Sequence, residues 1–137
     1  MTTEPIQSRH VSIVIDAAAA DVAAYIRDPR NLVHWAAGLA DGQVQLVDGA
    51  WTASSPLGDI TVEFAPDNDL GVVDHVVRTA QGQTFYNPMR VLRDGEVDNR
   101  CEVVFTVRRR VGMSDAEFAG DAAAVAADLE TLRGIFG

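Results

Sequence analysis

The first forty residues change hydrophobic period twice. Val11, Ile13 and Ile15 alternate with Ser12 and Val14, which predicts a strand over 11–15. Val22, Tyr25 and Ile26 then recur at i, i+3, i+4 and predict a helix over 19–27. Asp28-Pro29 stops that helix, because the residue before a proline resists the helical region. Pro29 itself suits the first turn of a second short helix, running through Trp35 and ended by Gly38.

Alternation dominates the middle of the chain. Strands are expected over 43–47, 50–54, 59–64, 70–79, 83–92 and 100–109, separated by turn pairs such as Asp41-Gly42, Asp48-Gly49 and Asp94-Gly95. Asp48-Gly49 between two strand-like runs is a hairpin signal. Parity gathers Ile60, Val62 and Phe64, then Val73, His75 and Val77, on one face. The same face receives Phe85, Asn87, Met89 and Val91, and then Val103, Phe105 and Val107. Pro88 has no N–H to give to a ladder, so a bulge or an edge is expected there. The chain finishes in a helix. Ser114 and Glu117 have the spacing of a capping box, and Phe118, Ala122, Val125, Leu129, Leu132 and Phe136 recur at three and four. Asp121, Asp128 and Glu130 are expected to lie off that stripe. A long one-faced helix needs a broad partner, and the sheet is the candidate.

Strand, two short helices, six antiparallel strands and one long helix make an α+β chain of order β-α-α-β6-α. That order resembles the helix-grip fold of the START-like (SRPBCC) superfamily, which includes polyketide cyclase-like and Bet v 1-like proteins. The opening segment is similar too: Val11-Ser-Ile-Val-Ile-Asp-Ala, Asp21-Val22, Ile26-Arg-Asp-Pro and Trp35. Asn87-Pro-Met-Arg-Val, Val103-Val-Phe-Thr-Val and Gly112-Met-Ser-Asp-Ala-Glu-Phe resemble a bacterial branch of the same superfamily. The resemblance implies one START-like domain over 1–137, with a curved antiparallel sheet wrapped around the C-terminal helix and a hydrophobic cavity between them. It implies no shared catalytic motif.

Charge and composition narrow the function. Twenty acidic residues against eleven basic ones give a formal net charge of −9, which repels nucleic-acid phosphates and anionic membrane surfaces. Every basic residue is arginine, so lysine-dependent chemistry, including Schiff bases and P-loops, is excluded. Cys101 is the only cysteine, and His10, His34 and His75 are far apart in sequence. No metal site and no cofactor is therefore expected. No apolar run is long enough for a membrane span, and residues 1–10 lack the apolar core of a signal peptide, so a cytoplasmic location is expected.

His75 and Asn87 are the two polar side chains on an otherwise apolar face. His75 is either a core histidine bonded to backbone or water, or a ligand-binding or catalytic group with a proton to move. Asn87 either caps the irregularity at Pro88 or hydrogen-bonds a ligand carbonyl or hydroxyl. Phe64, Val73, Phe85, Met89 and Phe105 are expected to wall the cavity from the sheet, with Val125 and Leu129 opposite them on the helix. Trp35 and Trp51 are expected near its entrances, or else close the core there. Tyr86 and Arg90 have the opposite parity, but a bulge at Pro88 would turn Arg90 inward. The run Arg108-Arg109-Arg110 reads as a salt-bridged strand end that balances the acidic last helix. The expected function is binding of a small hydrophobic molecule of lipid, polyketide or aromatic type. The alternative is a cofactor-independent cyclase, aromatase or dehydratase, with His75 as general acid–base and Asn87 holding a carbonyl or enolate oxygen. Val72, Val76 and Val104 on the outer face would support a homodimer if they formed an exposed patch.

Overall fold

A computed structural model describes residues 7–37 and 39–137, so the expected helix stop at Gly38 and most of the polar lead-in lie outside the described residues. Strand β1 (Ser8–Ile15) leads into α1 (Ala19–Arg27), which ends where Asp28 turns extended before Pro29. The Asp28 carboxylate then accepts from the Arg30 amide at 3.1 Å and caps a 3-10 turn that runs on into α2 (Leu32–Trp35). After it come β2 (Gln45–Val47), β3 (Ala50–Ser55), β4 (Gly58–Phe64) and β5 (His75–Thr79). Strands β6 (Thr84–Asn87), β7 (Met89–Arg93) and β8 (Cys101–Arg108) complete the sheet, and α3 (Asp115–Ile135) follows. Asp48 and Gly49 both take positive φ, 51° and 80°, the primed turn that matches strand twist and that the Asp-Gly pair predicts.

Seven strands follow α2, not six, because Pro88 divides the run expected over 83–92. β6 pairs with β5, whereas β7 pairs with β8. Two antiparallel ladders result, β1-β8-β7 and β2-β3-β4-β5-β6. No residue is inserted at Pro88, so alternation runs straight through it: Asn87 and Met89 point inward and Arg90 outward. The expected bulge is instead a handover, at which the strand changes partner. The Pro88 carbonyl already belongs to the second ladder, accepting from the Thr106 amide at 2.9 Å.

The two ladders are joined through the segment before β5. Only His75–Thr79 of the run expected over 70–79 is a regular strand. Upstream of it, Val73 donates to the Met89 carbonyl at 3.0 Å and Val91 donates to the Gly71 carbonyl at 2.8 Å. The approach is close: a Cβ on Gly71, which has φ +75°, would sit 2.0 Å from the Val91 carbonyl oxygen. Strand β2 is shorter than expected, and Leu46 is exposed although Val44 is buried. Val72, Val76 and Val104 are half-buried on the outer face rather than forming an open patch.

Helix α3 starts as its sequence predicts. The Ser114 side chain accepts from the Glu117 amide and the Glu117 carboxylate accepts from the Ser114 amide, both at 3.0 Å. Phe118, Ala122, Leu129 and Leu132 are buried, and the helix lies on β1, β8 and α2. The apolar side chains form two clusters. One, around Ile15, Ile26, Leu32 and Met89, joins the sheet to α1, α2 and the second half of α3. The other, Val107, Phe118 and Ala122, holds the first half of α3 to the end of β8. Phe105 and Val125 pack against both. Among the described residues no helix is long and apolar enough to cross a membrane.

Candidate functional site

Phe105 and Val125 also line a hollow between the sheet and the long helix, with a volume of about 410 Å³. Small-molecule sites typically span roughly 300–1,000 Å³. Its apolar wall comes from Val77, Phe85 and Val107 on the sheet and from Ala124 and Leu129 on α3. Trp35, Ala36 and Leu39 close it from the α2 end, and the β3–β4 turn, Pro56 and Leu57, borders it.

His75 and Asn87 belong to this cavity. They are cross-strand partners in the β5–β6 ladder, so their side chains emerge side by side on the inner face. His75 is 2% exposed. Its ring lies between Phe64, centroid at 4.9 Å, and Phe105, centroid at 5.8 Å and nearly edge-on. Nδ1 lies 3.2 Å from the Val73 carbonyl oxygen, which can only accept, so Nδ1 carries the proton and Nε2 is a bare acceptor. Burial holds the imidazole down at about 4, against weaker opposing effects of the Val73 hydrogen bond and the neighbouring Asp74 charge. The ring is neutral at pH 7. The Asn87 side chain makes no hydrogen bond with any described residue.

Two further residues with polar groups line the cavity from the helical side. Trp35 is 3% exposed and its Nε1 has no hydrogen-bond partner among the described residues. Asp128 also lines the hollow. Burial pushes its carboxyl up to about 6, although a hydrogen bond from the Ala37 amide works the other way. Asp121 joins it one row along. Neither aspartate lies clear of the apolar stripe as expected: α3 is wide enough for Phe118, Ala122 and Leu132 to grip the sheet while Asp121, Val125 and Asp128 look into the hollow. The i, i+4, i+7 spacing of these three was the signal for a second helix face.

The arginine run at the end of β8 divides its labour. Arg109 turns to the start of α3, donating to Asp115 Oδ1 at 2.6 Å and to the Met113 carbonyl at 3.0 Å. Arg110 lies over the Phe85 ring at 4.0 Å and 3.9 Å from the Asp121 carboxylate, at the border of the cavity. Arg108 lines the cavity with its Nε buried and unpartnered among the described residues. Strand parity set Arg108 on the face opposite Val107 and did not extend to Arg110, because the ladder ends at Arg108.

Of the expected ligand wall, Trp35, Phe85, Phe105, Val125 and Leu129 converge on the hollow with His75 and Asn87. The rest lie elsewhere. Val73 and Met89 are wholly buried in the core and do not reach it. Phe64 touches the His75 ring from behind. With Trp51 it borders a separate depression, together with Arg27, Asp67 and Arg78. Trp51 is displaced because β3 lies far across the sheet from α3. Arg90 is on the outer face, its guanidinium donating to both Asp74 carboxylate oxygens at 3.0 Å, because Pro88 leaves the parity intact.

No protein-family model matches the chain, and no curated protein matches its sequence. Solved structures do match its fold. Protein XoxI from Bacillus cereus superposes with a TM-score of 0.71 at 18% identity, over 94% of this chain and 94% of that one. Norcoclaurine synthase from Thalictrum flavum, in complex with dopamine and hydroxybenzaldehyde, gives 0.62 at 13% identity, over 96% of this chain and 86% of that one. A START superfamily protein from Mycobacterium smegmatis gives 0.63 at 10% identity, over 96% of each. At these identities the likeness is one of architecture, and it agrees with the sheet clasping α3: the chain has a helix-grip fold, as these proteins do.

Proposed function

We propose that the protein binds a small apolar molecule, of lipid, polyketide or aromatic type, in the hollow between its sheet and α3. The observation that carries this reading is the lining itself: an apolar wall of about 410 Å³ interrupted by a few polar groups with no protein partner. A solid core would have filled that space. Norcoclaurine synthase, which shares the fold, holds dopamine and hydroxybenzaldehyde, so the architecture accommodates aromatic molecules of this size.

Turnover of a polyketide-like substrate by His75 as general acid–base draws less support. The one imidazole proton is committed to the Val73 carbonyl, and burial holds the ring neutral down to about 4. An acid–base catalyst works best near the operating pH.

The test is fluorescence titration with the environment-sensitive probe 1-anilinonaphthalene-8-sulfonate, in wild type and in Ala124→Trp. Ala124 lines the cavity from an exposed position on α3, so a tryptophan there fills the space without burdening the core. Saturable binding in wild type that weakens at least tenfold in Ala124→Trp is expected. Absent binding, or equal binding in both, overturns the reading.

A further inference from the structure

We infer that the bound molecule carries a hydroxyl group, phenolic or enolic, that seats between His75 and Asn87 on the cavity floor, donating to the imidazole and accepting from the amide. This rests on the apolar-ligand reading above and names the chemistry the site selects within it.

The inference follows from which hydrogen-bonding capacity the protein leaves unused. His75 and Asn87 are register partners on one face, at a separation of roughly 5 Å between Cβ atoms. The Val73 carbonyl fixes the histidine tautomer, so Nε2 offers a lone pair and no proton. Phe64 and Phe105 hold the ring from two sides, which fixes where that lone pair points. Asn87 offers two N–H donors and a carbonyl, and nothing described in the chain uses them.

Each ligand group makes a different match. A ketone or aldehyde only accepts: it satisfies Asn87 and sets its oxygen against the Nε2 lone pair. A carboxylate likewise only accepts, so its oxygen also meets the Nε2 lone pair. An ether leaves Nε2 bare. A hydroxyl is both donor and acceptor and uses both partners at once. The neutral state of His75 at pH 7 agrees, because a protonated ring would offer a second donor and favour an anion instead.

A matched naphthalene series tests this by calorimetric titration on the full chain: naphthalene, 2-naphthol, 2-methoxynaphthalene and 2-naphthoate. 2-Naphthol is expected to bind about tenfold more tightly than 2-methoxynaphthalene and than 2-naphthoate, as two hydrogen bonds to buried groups imply. In Asn87→Leu and in His75→Leu the ratio of naphthol to methyl-ether affinity falls toward one. The Asn87 variant carries the test if His75→Leu does not fold, since Asn87 is only half-buried. Equal binding of naphthol and its methyl ether, or a ratio unchanged by the substitutions, overturns the inference and leaves the apolar-ligand reading standing. Failure of all four compounds to bind overturns both.

Discussion

Asp74 and Arg90 close a two-pronged ion pair across the handover between the ladders, Nε to Oδ1 and Nη2 to Oδ2, each at 3.0 Å. The same carboxylate accepts from the Tyr86 hydroxyl at 2.6 Å and from the Met89 amide at 2.8 Å. That amide is the first N–H after Pro88. Asp74 therefore supplies the partner at the point where the strand leaves one neighbour for the next.

Burial alone would push the Asp74 carboxyl up, but the hydrogen bonds from Arg90, Tyr86 and Met89 outweigh it and hold the group at about 2. A lowered carboxylate stabilises the fold above its unfolded pKa, here 3.8, and that contribution is lost as pH falls toward about 2. Asp74→Asn is expected to cost about 1–2 kcal/mol at pH 7, after allowance for screening at the half-exposed arginine. The cost should shrink as the pH is lowered from 4 to 2. Urea denaturation at pH 7 and pH 3 checks both, and an unchanged midpoint at pH 7 would remove the latch from the account.

Among the described glycines, Gly71 is expected to tolerate alanine least. Gly71→Ala places a Cβ 2.0 Å from the Val91 carbonyl oxygen, which is backbone and cannot rotate away, at a φ of +75° that alanine resists. Roughly 3 kcal/mol or more of lost stability follows from combined overpacking and strain. Gly82→Ala is the control: φ is similar at +85° but nothing lies within 4 Å. If the two variants melt together, the close approach of the two ladders is wrong.

His75 and Asp128 give opposite pH signatures from opposite walls of the same hollow. The His75 ring is held at about 4 against 6.5, so the unfolded chain takes up its proton first. Its stabilisation is complete above about 6.5 and is lost as pH falls to about 4, on the order of 3 kcal/mol. The Asp128 carboxyl is pushed up from 3.8 to about 6, so its ionisation opposes folding above about 6 and ceases to matter below 3.8. Stability measured from pH 7 to pH 4 should fall less steeply in His75→Phe than in wild type. Asp128→Asn keeps an acceptor for the Ala37 amide and should gain stability at pH 7 but not at pH 3.5. Parallel curves for all three proteins would contradict both assignments.

Much of the fold was legible because each signal was local. Asp48-Gly49 specified its own turn, Ser114 and Glu117 their own cap, and parity in 59–64 and 101–107 needed no tertiary information. Parity also brought His75 and Asn87 to one face. What escaped was long-range. Proline announces a missing donor but not the neighbour that the strand will adopt afterwards. Arg90 therefore stayed outward with Asp74, a residue sixteen positions away. Nor does a helical stripe reveal how wide a groove it must span, so Asp121 and Asp128 read as solvent-facing. Trp51 and Phe64 belong to strands whose distance from α3 depends on sheet curvature, which alternation does not encode.

The handover at Pro88 has one more effect. Asp74 and His75 are consecutive, as are Asn87, Pro88 and Met89, so the outer ion pair and the inner polar pair share a single stretch of peptide on each strand. The backbone that carries the exterior clasp is thus the backbone that sets the spacing of His75 and Asn87. A change to those few peptide planes therefore reaches both the outer seam and the inner polar pair.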